Sequence, residues 1–108
     1  QAQDELRKYL LNNGYEILNE CLEKEDFRLY EIIEARYTGK NTTIDDEINY
    51  EVSQKLIENK DELLAEFIDN KIKKYNNIIE KLGDKNSEAV IFKRNLANEK
   101  IEKLKNLI

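Results

Sequence analysis

The chain has 108 residues, of which 40% are apolar and 38% charged, with a net charge of −5 and no histidine, proline, methionine or tryptophan. Lack of histidine excludes the commonest general base and the histidine-activated nucleophiles. One cysteine, Cys21, excludes an internal disulfide and makes a structural zinc site untenable. The length allows one domain, or a small layer with an extension, and the charge content with no proline suits long exposed helices.

Residues 4–13 read as a short helix with Leu6, Tyr9 and Leu10 on one face, ended by Asn12-Asn13-Gly14. Residues 15–22 read as a strand carrying Ile17, Leu18, Cys21 and Leu22. Glu23-Lys24-Glu25-Asp26 is the expected turn. Residues 27–37 form the clearest strand pattern. Phe27, Leu29, Ile33, Ala35 and Tyr37 fall on one side, interrupted by Glu31, and Tyr30 and Ile32 fall on the other. Apolar groups on both sides predict a strand covered on both faces. The two strands are expected to pair as an antiparallel hairpin. A two-stranded ribbon with one helix is marginal in water, and the outer edge of the second strand would show unpaired backbone groups. A further part of the same protein, or a second copy of the chain, is expected to complete it.

Thr38 to Thr43 form a loop, and Asp45-Asp46-Glu47 an acidic turn that can cap a helix. That cluster, and the acidic pair Glu20 and Glu23, are expected to be solvated surface and not metal ligands. Ile48, Val52, Leu56 and Ile57 carry a helical pattern with a break at Asn59-Lys60. Asp61-Glu62 restarts it, so residues 47–82 are predicted as two helices with a joint near Asn59, the alternative being one long bent helix.

The chain ends in a predicted helical hairpin, residues 63–108, around the turn Gly83-Asp84-Lys85-Asn86-Ser87. Leu64, Ile68, Ile72, Tyr75, Ile78, Ile79 and Leu82 lie on one stripe of the first arm. Val90, Ala97, Ile101, Leu104 and Ile108 give the second arm a heptad seam. Gly83 suits a left-handed C-cap, and Ser87 or Asn86 an N-cap. The fold class is therefore α+β, mostly α: a short helix and an antiparallel β-hairpin, then an antiparallel helical hairpin of coiled-coil type. The expected division is residues 1–43 and 44–108.

Charge divides along the chain. Residues 1–68 hold 17 acidic and 8 basic side chains, a net −9, and residues 69–108 hold 6 acidic and 10 basic ones, a net +4. Lys71, Lys73, Lys74, Lys81, Lys85, Lys93, Arg94 and Lys100 are the candidate contacts for a polyanion such as RNA; the alternative is a solvated helix face held by pairs such as Glu99 with Lys103. The three glycines, Gly14, Gly39 and Gly83, are isolated and form no phosphate-cradling loop. No apolar run is long enough to cross a bilayer and nothing resembles a signal peptide. A cytoplasmic location is expected, and the absence of methionine implies a part of a longer protein.

The stretch Leu6-Arg7-Lys8-Tyr9-Leu10-Leu11-Asn12-Asn13-Gly14-Tyr15-Glu16-Ile17, followed by Glu20, Asp26 and Tyr30-Glu31-Ile32-Ile33, resembles the pattern L-R-x-W-L-x-x-N-x-Y-x-I-x-x-E-x(5)-D-x-x-x-Y-E-I-I of bacterial tRNA (adenine-22-N1)-methyltransferases. Tyr9 replaces the usual tryptophan. The resemblance implies the end of a Rossmann-like, S-adenosylmethionine-dependent domain followed by a helical domain. It also implies that the cofactor loop and catalytic motif lie upstream of Gln1, so this chain would hold no cofactor and be inactive alone. It implies tRNA as the partner. The alternative is a helical-hairpin module that docks a protein or dimerises, through its helices or the strand edge, with no enzymatic role.

Overall fold

The computed structural model describes residues 3–108. In chain order the elements are α1 (Gln3–Asn12), β1 (Tyr15–Glu25), β2 (Arg28–Tyr37), α2 (Ile48–Glu51), α3 (Gln54–Glu58), α4 (Leu64–Leu82) and α5 (Glu88–Lys105). They form two compact units, Gln1–Leu64 and Ala65–Ile108. The α+β class with a helical hairpin after a strand hairpin agrees with the sequence.

In the first unit β1 and β2 pair antiparallel from Tyr15↔Tyr37 to Glu25↔Arg28, leaving only Asp26 and Phe27 in the turn. The turn is shorter than the expected Glu23–Asp26 break because Glu23, Lys24 and Glu25 join the ladder opposite Tyr30, Leu29 and Arg28. Asp26 takes the left-handed backbone, φ 56°, that so tight a reversal needs. Leu18 is skipped in the register between Ile17 and Asn19. This bulge shifts the inward positions of β1 from odd to even, so Ile17 is half-buried while Glu20 and Leu22 are buried.

β2 alternates as its pattern requires, with Leu29, Glu31 and Ile33 turned inward. Its other face is open: Tyr30 is 44% and Ile32 49% exposed. The expected cover on both faces is thus absent from the described residues, and the sheet has two strands.

The helix α1 buries Arg7 and Leu11. The expected Leu6–Tyr9–Leu10 face is incorrect, since Leu6 and Tyr9 are exposed. Apolar periodicity misplaced the inner face because its central residue is an arginine. Residues 47–82 form three helices and not two. Val52 ends α2 in extended backbone, and the Ser53 side chain accepts from Lys55 N to start α3. The predicted break at Asn59-Lys60 is present, with Lys60 left-handed at φ 51°. The Asp46 carboxylate accepts from Ile48 N at 3.1 Å, so the acidic turn acts as a helix cap. Helices α2 and α3 pack on α1 and β1 respectively. Val52 and Leu56 are fully buried there, within the first unit.

Gly14 closes the base of the ribbon. Its carbonyl accepts from Thr38 N at 2.8 Å and Gly39 N at 2.9 Å. Its φ is +86°, and a Cβ there would lie 3.1 Å from both Gly39 Cα and the Tyr37 ring. Gly14→Ala is expected to cost about 1–3 kcal/mol, measured by urea unfolding, because the added methyl meets backbone in a conformation that L-residues disfavour.

In the second unit Gly83 is the left-handed C-cap of α4, φ 59°, and the Ser87 hydroxyl accepts from Val90 N to cap α5. The α5 seam runs Val90, Arg94, Ala97, Ile101 and Leu104, with Arg94 filling the heptad position that the apolar pattern skips. Its guanidinium donates to Gly83 O at 2.7 Å and Lys85 O at 2.9 Å, tying α5 to the turn. Two expected seam residues stand out of it: Ile78 is 37% and Ile108 67% exposed.

Candidate nucleic-acid interface

Two charged clusters of the structure differ in kind. The first is buried. Arg7 Nη2 lies 2.6 Å from Glu20 Oε1 and 2.8 Å from Glu31 Oε1. Arg7 Nε donates to Glu20 Oε2 at 3.1 Å, and Nη1 donates to Tyr50 O. One guanidinium therefore ties together α1, both strands and α2. Arg7 is 1% and Glu20 2% exposed, so the expectation that Glu20 is surface is incorrect. The bulge at Leu18 turns it inward, where a basic partner is waiting. Burial alone disfavours the charged guanidinium, but the hydrogen bonds and charges of Glu20 and Glu31 outweigh it and raise its pKa. Stability from a raised basic group is lost only as pH climbs past that group's range, so the Arg7 guanidinium stays charged up to strongly alkaline pH. All three charges are mutually satisfied, and the cluster is a structural joint.

The second cluster is the basic surface of the helical hairpin. At about 100° per residue, Lys74 and Lys81 sit roughly 80–100° to one side of the α4 stripe. Lys93 and Lys100 sit roughly 60–80° from the α5 seam in the same rotational sense. In an antiparallel pair, equal offsets point to the same side of the hairpin. The Lys100 ammonium lies 5.5 Å from the Tyr75 ring centre, which fixes the register of the two arms. Asn70, Lys73, Lys74, Asn77, Ile78 and Lys81 line one shallow depression along α4. Lys74, Lys81, Lys85 and Lys93 are exposed, with Lys85 at the tip.

The remaining candidates are placed differently. Lys71 stacks over the Phe67 ring at 4.8 Å, toward the seam. Lys73 points away from the seam and pairs with Asp69 at 3.0 Å. Arg94 is committed to the turn carbonyls. The fold thus brings four of the eight predicted residues to one side and spreads the others.

Elsewhere, a depression of about 170 Å³ is lined by Arg7, Leu11, Ile17, Glu20, Thr42 and Ile44, among others. That is smaller than the ~300–1,000 Å³ usual for an organic ligand. Among the described residues no three Cys, Asp or Glu side chains are grouped to hold a metal, and no helix is long and apolar enough to cross a membrane.

The family model for tRNA (adenine(22)-N(1))-methyltransferase, TrmK, matches residues 1–106, and the chain belongs to that family. Three solved structures share the fold. The tRNA methyltransferase TrmK of B. subtilis is 20% identical, with a TM-score of 0.81 over 97% of this chain and 47% of its own. An uncharacterised protein of Listeria monocytogenes serotype 4b is 19% identical, with a TM-score of 0.81 over 98% of this chain and 46% of its own. A Streptococcus pneumoniae protein in complex with S-adenosyl-L-methionine is 20% identical, with a TM-score of 0.63 over 99% and 43%. The chain spans less than half the length of each. No curated protein sequence matches it.

Proposed function

We propose that the chain is the C-terminal part of a tRNA (adenine-22-N1)-methyltransferase and that its helical hairpin holds the tRNA. The basic side formed by Lys74, Lys81, Lys93 and Lys100, in a chain of net charge −5, is the observation that carries this reading. Lysines on a rigid helical pair suit contact with phosphates, which orient a structured RNA without reading its sequence. Methylating N1 of an adenine needs access to its Watson–Crick edge, so the RNA must be held while that base is exposed.

In this reading S-adenosylmethionine binds outside the chain. The residues here do not fit it: the glycines are isolated, the depression near Arg7 is small, and Glu20 and Glu31 are already engaged by Arg7. No reaction step is assigned to these residues, and the chain alone is inactive. The open edge of β2 is where the rest of the enzyme, or a second copy, adds to the sheet. A cytoplasmic location follows from tRNA as substrate.

The test is a tRNA titration of the purified chain across salt concentrations, beside a methylation assay of the longer protein. Affinity is expected to fall steeply with salt, by nearly one log–log unit per phosphate contact. Salt-independent affinity, or a longer protein that leaves adenine N1 unmodified, contradicts the reading.

A further inference from the structure

One edge of β1 pairs with β2. The other is covered by the connection between α3 and α4, residues 59–63. Leu22 N donates to Asp61 Oδ2 at 2.9 Å. Asn59 Nδ2 donates to Asn19 Oδ1 at 2.9 Å and to Glu20 O at 3.4 Å. In an antiparallel ribbon the backbone groups of alternate residues face the partner strand or face outward, and Leu22 N and Glu20 O are outward groups. Two side chains therefore stand where a third strand would pair. The connection is fixed by its own bonds: Lys60 is left-handed at φ 51°, and Leu63 N donates to Asp61 Oδ1 at 2.9 Å.

The donor and acceptor under this cover are complementary to those of a second copy. Once uncovered, Leu22 N of one copy can donate to Glu20 O of the other, and two-fold symmetry makes the same bond in reverse. This pairing is centred on Cys21, which meets its own counterpart between the two hydrogen-bonded rungs. It puts Glu23 opposite Asn19, so no like charges face each other across the central rungs. An uncovered strand edge is a template for such pairing, and a loop laid over it is one of the ways folded proteins prevent it.

We infer that Asn59 and Asp61 are gatekeepers, whose side chains keep β1 from pairing with β1 of a second copy of the chain. Their contacts leave extension of the sheet to β2. This role is independent of whether the chain handles RNA, because it rests only on bonds within the first unit.

The experiment compares the unsubstituted chain with the variant Asn59→Ala, Asp61→Ser. The serine keeps an oxygen for Leu63 N but is too short to reach Leu22 N. Sedimentation velocity is expected to show the dimerisation constant of the variant raised roughly 5- to 30-fold, the factor for one or two hydrogen bonds gained. Facing residues of a non-hydrogen-bonded rung have Cα atoms about 4.5 Å apart, within the roughly 4.4–6.8 Å that a disulfide spans. Oxidised glutathione is therefore expected to link the variant through Cys21, its two thiols passing two electrons and two protons to the oxidant, and to leave the unsubstituted chain unlinked. Equal association of the two chains overturns the inference. Stronger association of the variant without the Cys21 link also overturns it, because the copies then meet elsewhere. Hydrogen exchange at the Leu22 amide of the unsubstituted chain needs no variant: slow exchange is expected, and exchange as fast as in an unfolded chain overturns the inference.

Discussion

Replacing Arg7 by methionine is expected to destabilise the first unit by about 3–5 kcal/mol, enough to unfold a marginal domain. The loss comes less from the missing hydrogen bonds than from the two carboxylates left behind. Glu20 and Glu31 are nearly inaccessible to water, and without the guanidinium neither has a cation. The triple variant Arg7→Met, Glu20→Leu, Glu31→Leu is expected to recover most of the loss, because a well-packed apolar replacement is often neutral where a broken ion cluster is not. Urea unfolding followed by circular dichroism measures both. Wild-type stability in the single variant would show that water reaches the carboxylates, and that the cluster is not the joint described above.

Reversing charge on one side of the helical hairpin is expected to abolish most RNA affinity. The variant Lys74→Glu, Lys81→Glu, Lys93→Glu removes three lysines that are exposed in the structure. With each phosphate contact contributing ~0.7–0.9 to the log–log salt slope, the slope should become shallower by about two units. Lys73→Glu is the control. That lysine borders the same depression as Lys74 and Lys81 but already faces Asp69 at 3.0 Å, which offsets its charge. Helicity should be unchanged in both variants, as none of these side chains is in the seam. Equal losses from Lys73→Glu and Lys74→Glu would mean that the RNA responds to total charge and not to this side of the hairpin.

The family-like pattern takes on physical meaning once the fold is known. Its charged letters at Arg7, Glu20 and Glu31 are the members of the buried cluster. Its aspartate, Asp26, holds the left-handed turn position. Its asparagine, Asn13, donates from Nδ2 to Tyr9 O at 2.8 Å and finishes α1. The motif could be recognised as a string without knowing that three of its letters meet.

Local rules sufficed for much of this protein. The helical hairpin, its Gly83 and Ser87 caps, the strand pairing and the break at Lys60 follow from period, capping chemistry and backbone preference, which act over a few residues. The inner face of α1, the burial of Glu20 and the role of Arg94 needed the tertiary structure. A bulge changes which side of a strand faces in. A buried arginine breaks an apolar period, and a charge can be buried only where distant residues meet to neutralise it. Which lysines share a side was likewise undecided until the two arms were set in register. Side-chain direction on one helix acquires meaning only relative to its neighbour.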